Sequence, residues 1–103
     1  MRKMLEMILT KEEMERITEE LRDNVPTITV DMHGLKVKEA KRLLSNIMAL
    51  DRGGMDIQVI HGYIHGNAIK DMVHDGLKNP RMKGRQAVKG NYGRTVLKMK
   101  SVA

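Results

Sequence analysis

The chain has 103 residues, 41% of them hydrophobic, with no Trp or Phe, two Tyr and ten Met, which bounds it to one compact domain around an aliphatic and methionine-filled core. Its net charge of +6 is uneven: residues 1–26 sum to −2, residues 27–77 to zero, and residues 78–103 carry eight basic and no acidic side chains, a quarter that would draw a polyanion. The absence of Cys excludes disulfide and thiolate chemistry, and no apolar run approaches the roughly 20 residues of a spanning helix or reads as a cleavable signal, so the expectation is a cytoplasmic protein with no membrane partner.

Thr10-Lys11-Glu12-Glu13 has the form of a capping box. Met14, Ile17 and Leu21 come next at helical spacing, so a helix is predicted over Lys11 to about Arg22. Asn24-Val25-Pro26 closes this unit. Residues 1–26 therefore read as a helical extension of opposite charge, able to dock a protein partner, ahead of a domain over 27–103. "TITVDM", Thr27 to Met32, alternates and is rich in β-branched residues, which predicts a strand broken by Gly34. Val37, Ala40, Leu43, Leu44, Ile47 and Met48 then form one helical face, stopped by Arg52-Gly53-Gly54. "DIQVI", Asp56 to Ile60, is a second strand. Ile69, Met72, Val73 and Leu77 mark a second helix, opened by Asn67 as a cap and ended near Asn79-Pro80. Arg81 to Val88 and Thr95 to Lys100 read as two further strands joined by "KGNYGR". The order is β-α-β-α-β-β: a two-layer α/β sandwich with a mixed four-stranded sheet, its first two strands parallel through a right-handed crossover.

In open α/β sheets, ligands gather beyond the carboxyl ends of the parallel strands. Here one such end carries Asp31, His33 and Gly34, and the other carries His61 and Gly62. Asp31 and His33 are two apart and point to the same side of the strand. A carboxylate beside an imidazole fixes its tautomer and suits it to acid–base work on a phosphodiester. The second His-Gly step is a different device. Gly66 and Asn67 open a helix, whose free backbone N–H groups favour an anion, so "IHGYIHGN" reads as a phosphate-facing turn with His61 at its strand end and His65 at its helix end. A metal site fits less well, because His61 and His65 lie on a loop and no Cys or second acidic cluster completes a ligand set. Tyr63 and Tyr92 lie in loops where either could stack a base. Arg81, Lys83, Arg85, Lys89 and Arg94 are the candidate phosphate contacts. Each feature has a plainer reading when taken singly: turn glycines, a capping aspartate, a surface or satisfied His74, a solvated basic face. Their combination favours function.

At these residues the chain resembles the small MutS-related (Smr) domain. The likeness covers about Ile28 to Lys100 and rests on "VDMHGLKVKEA", on "VIHG" followed by Gly66, and on "NYGRTVLKM". The resemblance implies a two-layer α/β domain that binds DNA or RNA and, in several members, nicks or cleaves it. It further implies roles for Asp31 and His33, and for His61, Gly62 and Gly66. One departure is Ile64, which stands where the family often has a glycine, so close phosphate approach is expected at Gly66 instead.

Two functions are open on these residues. In the first, an endonuclease, Asp31 orients His33 as base or acid while His61 and the Gly66 turn hold the scissile phosphate. An RNA 2′-hydroxyl would need no metal, whereas DNA would need a water and an ion such as Mg²⁺. In the second, a non-catalytic module uses the same rim and basic quarter for phosphate contact alone.

Overall fold

The structure is a computed structural model, and it describes residues 2–50, 55–62, 68–76, 79–80, 82–88 and 91–100. Its elements in order are helices α1 (Arg2–Ile8) and α2 (Lys11–Glu15), strands β1 (Ile17–Arg22) and β2 (Val25–Asp31), helix α3 (Val37–Leu50), strand β3 (Asp56–Ile60), helix α4 (Ala68–Asp71) running into a π-helical turn (Met72–Gly76), and strands β4 (Met82–Val88) and β5 (Asn91–Met99). The strands form one mixed sheet in the order β1-β2-β3-β5-β4, with β2 and β3 parallel and the other pairs antiparallel.

From β2 onward the architecture follows the predicted order, as a two-layer α/β sandwich. The sheet has five strands where four were expected, and the fifth comes from the segment predicted as helix. The capping box is present: Thr10 Oγ1 accepts from the Glu13 amide at 3.1 Å, and Glu13 Oε1 accepts from the Thr10 amide at 2.9 Å. The helix it starts ends at Glu15, not Arg22. Ile17 and Leu21 belong instead to β1, whose two-residue turn to β2, Asp23-Asn24, has φ of 53° and 65°. That is the backbone of a primed hairpin turn, which Asp and Asn adopt readily. A helix of five residues has little stability of its own, so strand pairing decides the state of residues 17–22.

The hairpin is also tied in by side chains. Glu20 Oε1 accepts from Thr29 Oγ1 at 2.5 Å and from Gln58 Nε2 at 3.0 Å, linking three strands. The boundary expected at residue 26 thus falls inside β2, and residues 1–26 supply an edge strand and part of the core.

Strand register sorts the side chains by face. Ile28, Ile57 and Leu97 form one row across the sheet, and Val30, Val59 and Thr95 the next. The apolar members of these rows pack with Ala40, Leu43, Leu44, Ile47 and Met48 of α3, joined by Leu5, Leu9, Ile69, Met72 and Val73. The core is aliphatic with Met in its gaps, as the composition required. Thr27, Thr29, Asp31, Gln58, Ile60 and Arg94 alternate onto the opposite face. Among the described residues no helix is long and apolar enough to cross a membrane.

Candidate functional site

The parallel pairing of β2 and β3 brings their carboxyl ends to one rim. Asp31 closes β2, and the chain stays fastened beyond it because the Met32 amide donates to the Ile60 carbonyl at 2.9 Å. Met32 points into the core and is fully buried, which turns its neighbours Asp31 and His33 outward. Asp31 Oδ1 accepts twice from His33: from the backbone amide at 3.1 Å and from ring Nδ1. The carboxylate therefore caps the turn and holds the imidazole together. Because a carboxylate only accepts, Nδ1 carries the proton and Nε2 is the nitrogen left for a substrate. The His33 side chain is 68% exposed and that of Asp31 38%. Gly34 follows with φ +81°, a left-handed conformation that reverses the chain into α3.

His61 sits differently. It follows Ile60, so alternation turns it to the helix-covered face, away from Asp31. It is 5% exposed and both ring nitrogens are engaged: Nδ1–H donates to the Gly62 carbonyl at 2.8 Å, and Nε2 lies 2.9 Å from Thr95 Oγ1. His74, from the π-helical turn, places its own Nε2 3.0 Å from the same hydroxyl. The directions are determined by the donors. With Nδ1 protonated, neutral His61 accepts at Nε2 from the Thr95 hydroxyl, whose oxygen then accepts from His74 Nε2–H. Burial pushes the His61 pKa below its ordinary 6.5, opposed by the hydrogen bond to Gly62 and aided by the charges of His74 and Lys70. His74, read from the sequence as a surface or satisfied histidine, is half-buried and bonds a residue of the third motif. Spacing alone does not show such a partnership across three elements.

The two His-Gly steps nevertheless meet. Gly62 has φ +74°, and a Cβ built on it would lie 3.9 Å from His33 Cβ. It is this backbone conformation, more than lack of space, that favours glycine there. The Gly93 carbonyl accepts from the amides of both His61 (2.9 Å) and Gly62 (3.1 Å), which brings the start of β5 to the same rim. Tyr63, His65, Gly66 and Asn67 of the predicted phosphate turn lie outside the described residues, as do Arg81 and Lys89 and the side chain of Tyr92.

Among the described residues the basic side chains of the last quarter are dispersed. Arg94 stands in one row with Ile60 and Asp31 on the open face, two strand spacings or roughly 10 Å from Asp31. Arg85 instead faces the helices and donates from Nε to the Val73 carbonyl at 2.8 Å, bracing the π-helical turn. Lys83 lies toward the opposite end of the sheet, near Met99. Lys98 is paired with Asp56 at 2.7 Å. Among the described residues no group of three His, Asp or Glu side chains gathers as a metal site.

One contact to the rim lies outside every predicted motif. Arg16, at the end of α2, donates from Nη1 to the carbonyls of Asp31 (3.0 Å) and His33 (3.2 Å).

Three motifs from separate parts of the chain therefore meet at one rim of a two-layer α/β domain: Asp31-x-His33-Gly34, His61-Gly62 and Gly93-x-Thr95. No family model matches the chain, and no curated protein matches it. Among solved structures it is similar to the Smr domain of MutS2 from Thermus thermophilus, with a TM-score of 0.58 and 24% identity, covering 70% of this chain and 96% of that one. The chain has an Smr-like fold.

Proposed function

We propose that this chain binds nucleic acid along the open face of its rim, and that the Asp31–His33 pair acts on a phosphodiester there. The observation that carries the reading is the pair itself: an exposed imidazole whose Nδ1 is committed to a carboxylate, with Nε2 directed to exchange a proton. Arg94, in the same row on the same face, supplies a positive charge for phosphate contact. The chemistry written for this arrangement is general base or acid catalysis by His33 Nε2, with Asp31 orienting the ring. If the attacking group is an RNA 2′-hydroxyl, His33 removes its proton as the oxygen bonds to phosphorus, and the 5′-oxygen leaves with a proton from water, giving a 2′,3′-cyclic phosphate. If the attacking group is a water on DNA, a divalent ion would have to supply the remaining activation, and among the described residues no group of three His, Asp or Glu side chains would hold one.

His61 has a different part in this proposal from the one its motif implies. With both nitrogens engaged on the helix-covered side, it holds the Gly62 turn in place without touching the phosphate. That same observation favours the second reading, a binding module without catalysis, since it leaves a single histidine at the open rim among the described residues.

The deciding experiment incubates the chain and its His33→Ala variant with end-labelled single-stranded, duplex and branched DNA and RNA, with and without Mg²⁺. A general acid or base contributes about 10²–10⁴-fold, so His33→Ala should reduce cleavage by that factor while leaving binding nearly unchanged. Equal cleavage by both would remove His33 from the chemistry. Binding without cleavage by either would leave the module.

A further inference from the structure

Residues 1–26 carry none of the three motifs, yet one of them grips the turn on which His33 sits. Arg16 is joined to the end of β2 twice. Its backbone carbonyl accepts from the Asp31 amide at 2.9 Å, extending the β1–β2 ladder by one residue. Its guanidinium then reaches over the strand end, and a single Nη1 group donates to the carbonyls of Asp31 and His33, at 3.0 and 3.2 Å. These two carbonyls flank Met32, whose side chain is anchored in the core. The backbone on both sides of that anchor is thus held by one planar, permanently charged group.

The local turn alone would not hold the ring. The Asp31–His33 contacts span two residues and are exposed, so water competes for each of them. Arg16 adds contacts 15 and 17 residues away in sequence, and these tie the turn to a paired strand.

We propose that Arg16 is a positioning residue for His33. By fixing the Asp31 and His33 carbonyls it keeps the imidazole on the Asp31 carboxylate, which makes the N-terminal hairpin part of the rim site. The proposal rests on the reading of the Asp31–His33 pair as the reactive element. Its first test, however, reads ring geometry and needs no substrate.

The experiment is ¹⁵N NMR of the His33 ring in the full chain, its Arg16→Ala and Arg16→Lys variants, and Glu19→Ala as a control for losing an exposed side chain from the adjoining strand β1. In the parent, Nδ1 and Nε2 should give the well-separated signals of one fixed tautomer. In Arg16→Ala they should move toward each other, as in a histidine exchanging between tautomers. Arg16→Lys, which keeps a charged donor but on a flexible stem without the planar group, should fall between, and Glu19→Ala should match the parent. Where the parent cleaves a substrate, Arg16→Ala should lower kcat on the order of 100-fold with KM within threefold, the cost of a misplacement of about 1 Å.

Unchanged ring signals in a folded Arg16→Ala chain would overturn the proposal, as would a loss carried by KM alone. Should Arg16→Ala not fold, the parent still decides the matter. Its Arg16 Nη protons should be resolved and show couplings to the Asp31 and His33 carbonyl carbons, and averaged Nη signals without such couplings would overturn the clamp. A parent that cleaves nothing would remove the catalytic reading while leaving the ring measurement to judge Arg16.

Discussion

Replacing Thr95 by Val tests the buried His61–Thr95–His74 chain most directly. The substitution keeps the shape and removes one hydroxyl that is 1% exposed and lies 2.9 and 3.0 Å from two imidazole nitrogens. Two hydrogen bonds are lost, each worth about 0.5–1.5 kcal/mol net. His74 is half-buried and can turn Nε2–H toward water. His61 cannot, so its buried Nε2 is left without a donor, and an unsatisfied buried group costs roughly 1–3 kcal/mol. The added methyl returns up to about 0.8 kcal/mol. The net expectation is a loss of about 2 kcal/mol, which for a domain of this size lowers Tm by roughly 10 °C. Urea unfolding of the parent, Thr95→Val and Thr95→Ser measures it. Serine keeps the hydroxyl and loses a methyl, so it should cost about 1 kcal/mol or less. A Thr95→Val chain as stable as the parent would refute the reasoning, and so would a Thr95→Ser chain destabilised as much as Thr95→Val.

Three further outcomes are expected. Because burial lowers the His61 pKa, the unfolded chain takes up a proton first as pH falls below about 6.5, so stability should decline from pH 7.5 to 5.5; urea midpoints across that range, with a shallower decline in His61→Gln, check the sign, and a flat or rising profile would contradict it. Leu5 of α1 is fully buried, so Leu5→Ala should cost about 2–5 kcal/mol, and a loss under about 0.5 kcal/mol would show that α1 stands apart from the core. If Arg94 contacts a phosphate, Arg94→Ala should lower the salt slope of duplex DNA binding by about one unit. Lys98→Ala, whose ammonium is already paired with Asp56, should leave that slope unchanged, and equal slopes for both variants would remove Arg94 from the interface.

Much of the molecule is legible in its residues because the signals are local. "DIQVI" is strand β3 over the bounds read from it, and the apolar face of Val37 to Met48 is α3, since alternation and 3.6-residue periodicity report burial on one side. The Asp31–His33 pair was equally readable, because two residues on one side of a strand end must meet. His61 was not: its motif reads it onto the phosphate-facing turn, whereas the sheet pairs Ile60 with Asp31, and strand parity then puts His61 on the opposite face. What parity could not supply was its partner. The His61–Thr95–His74 chain joins β3, β5 and the π-helical turn, and only the assembled sheet puts those three side chains within hydrogen-bond reach. The same holds for the segment before residue 26. A capping box and apolar spacing describe what five to twelve residues prefer alone, and they favoured helix through Arg22. Pairing with β2 stabilises Ile17 to Arg22 as a strand, because those residues gain a full ladder and the Glu20 hydrogen bonds only when the sheet is complete. Arg16 reaches the His33 turn for that reason, and no spacing within residues 1–26 could have shown it.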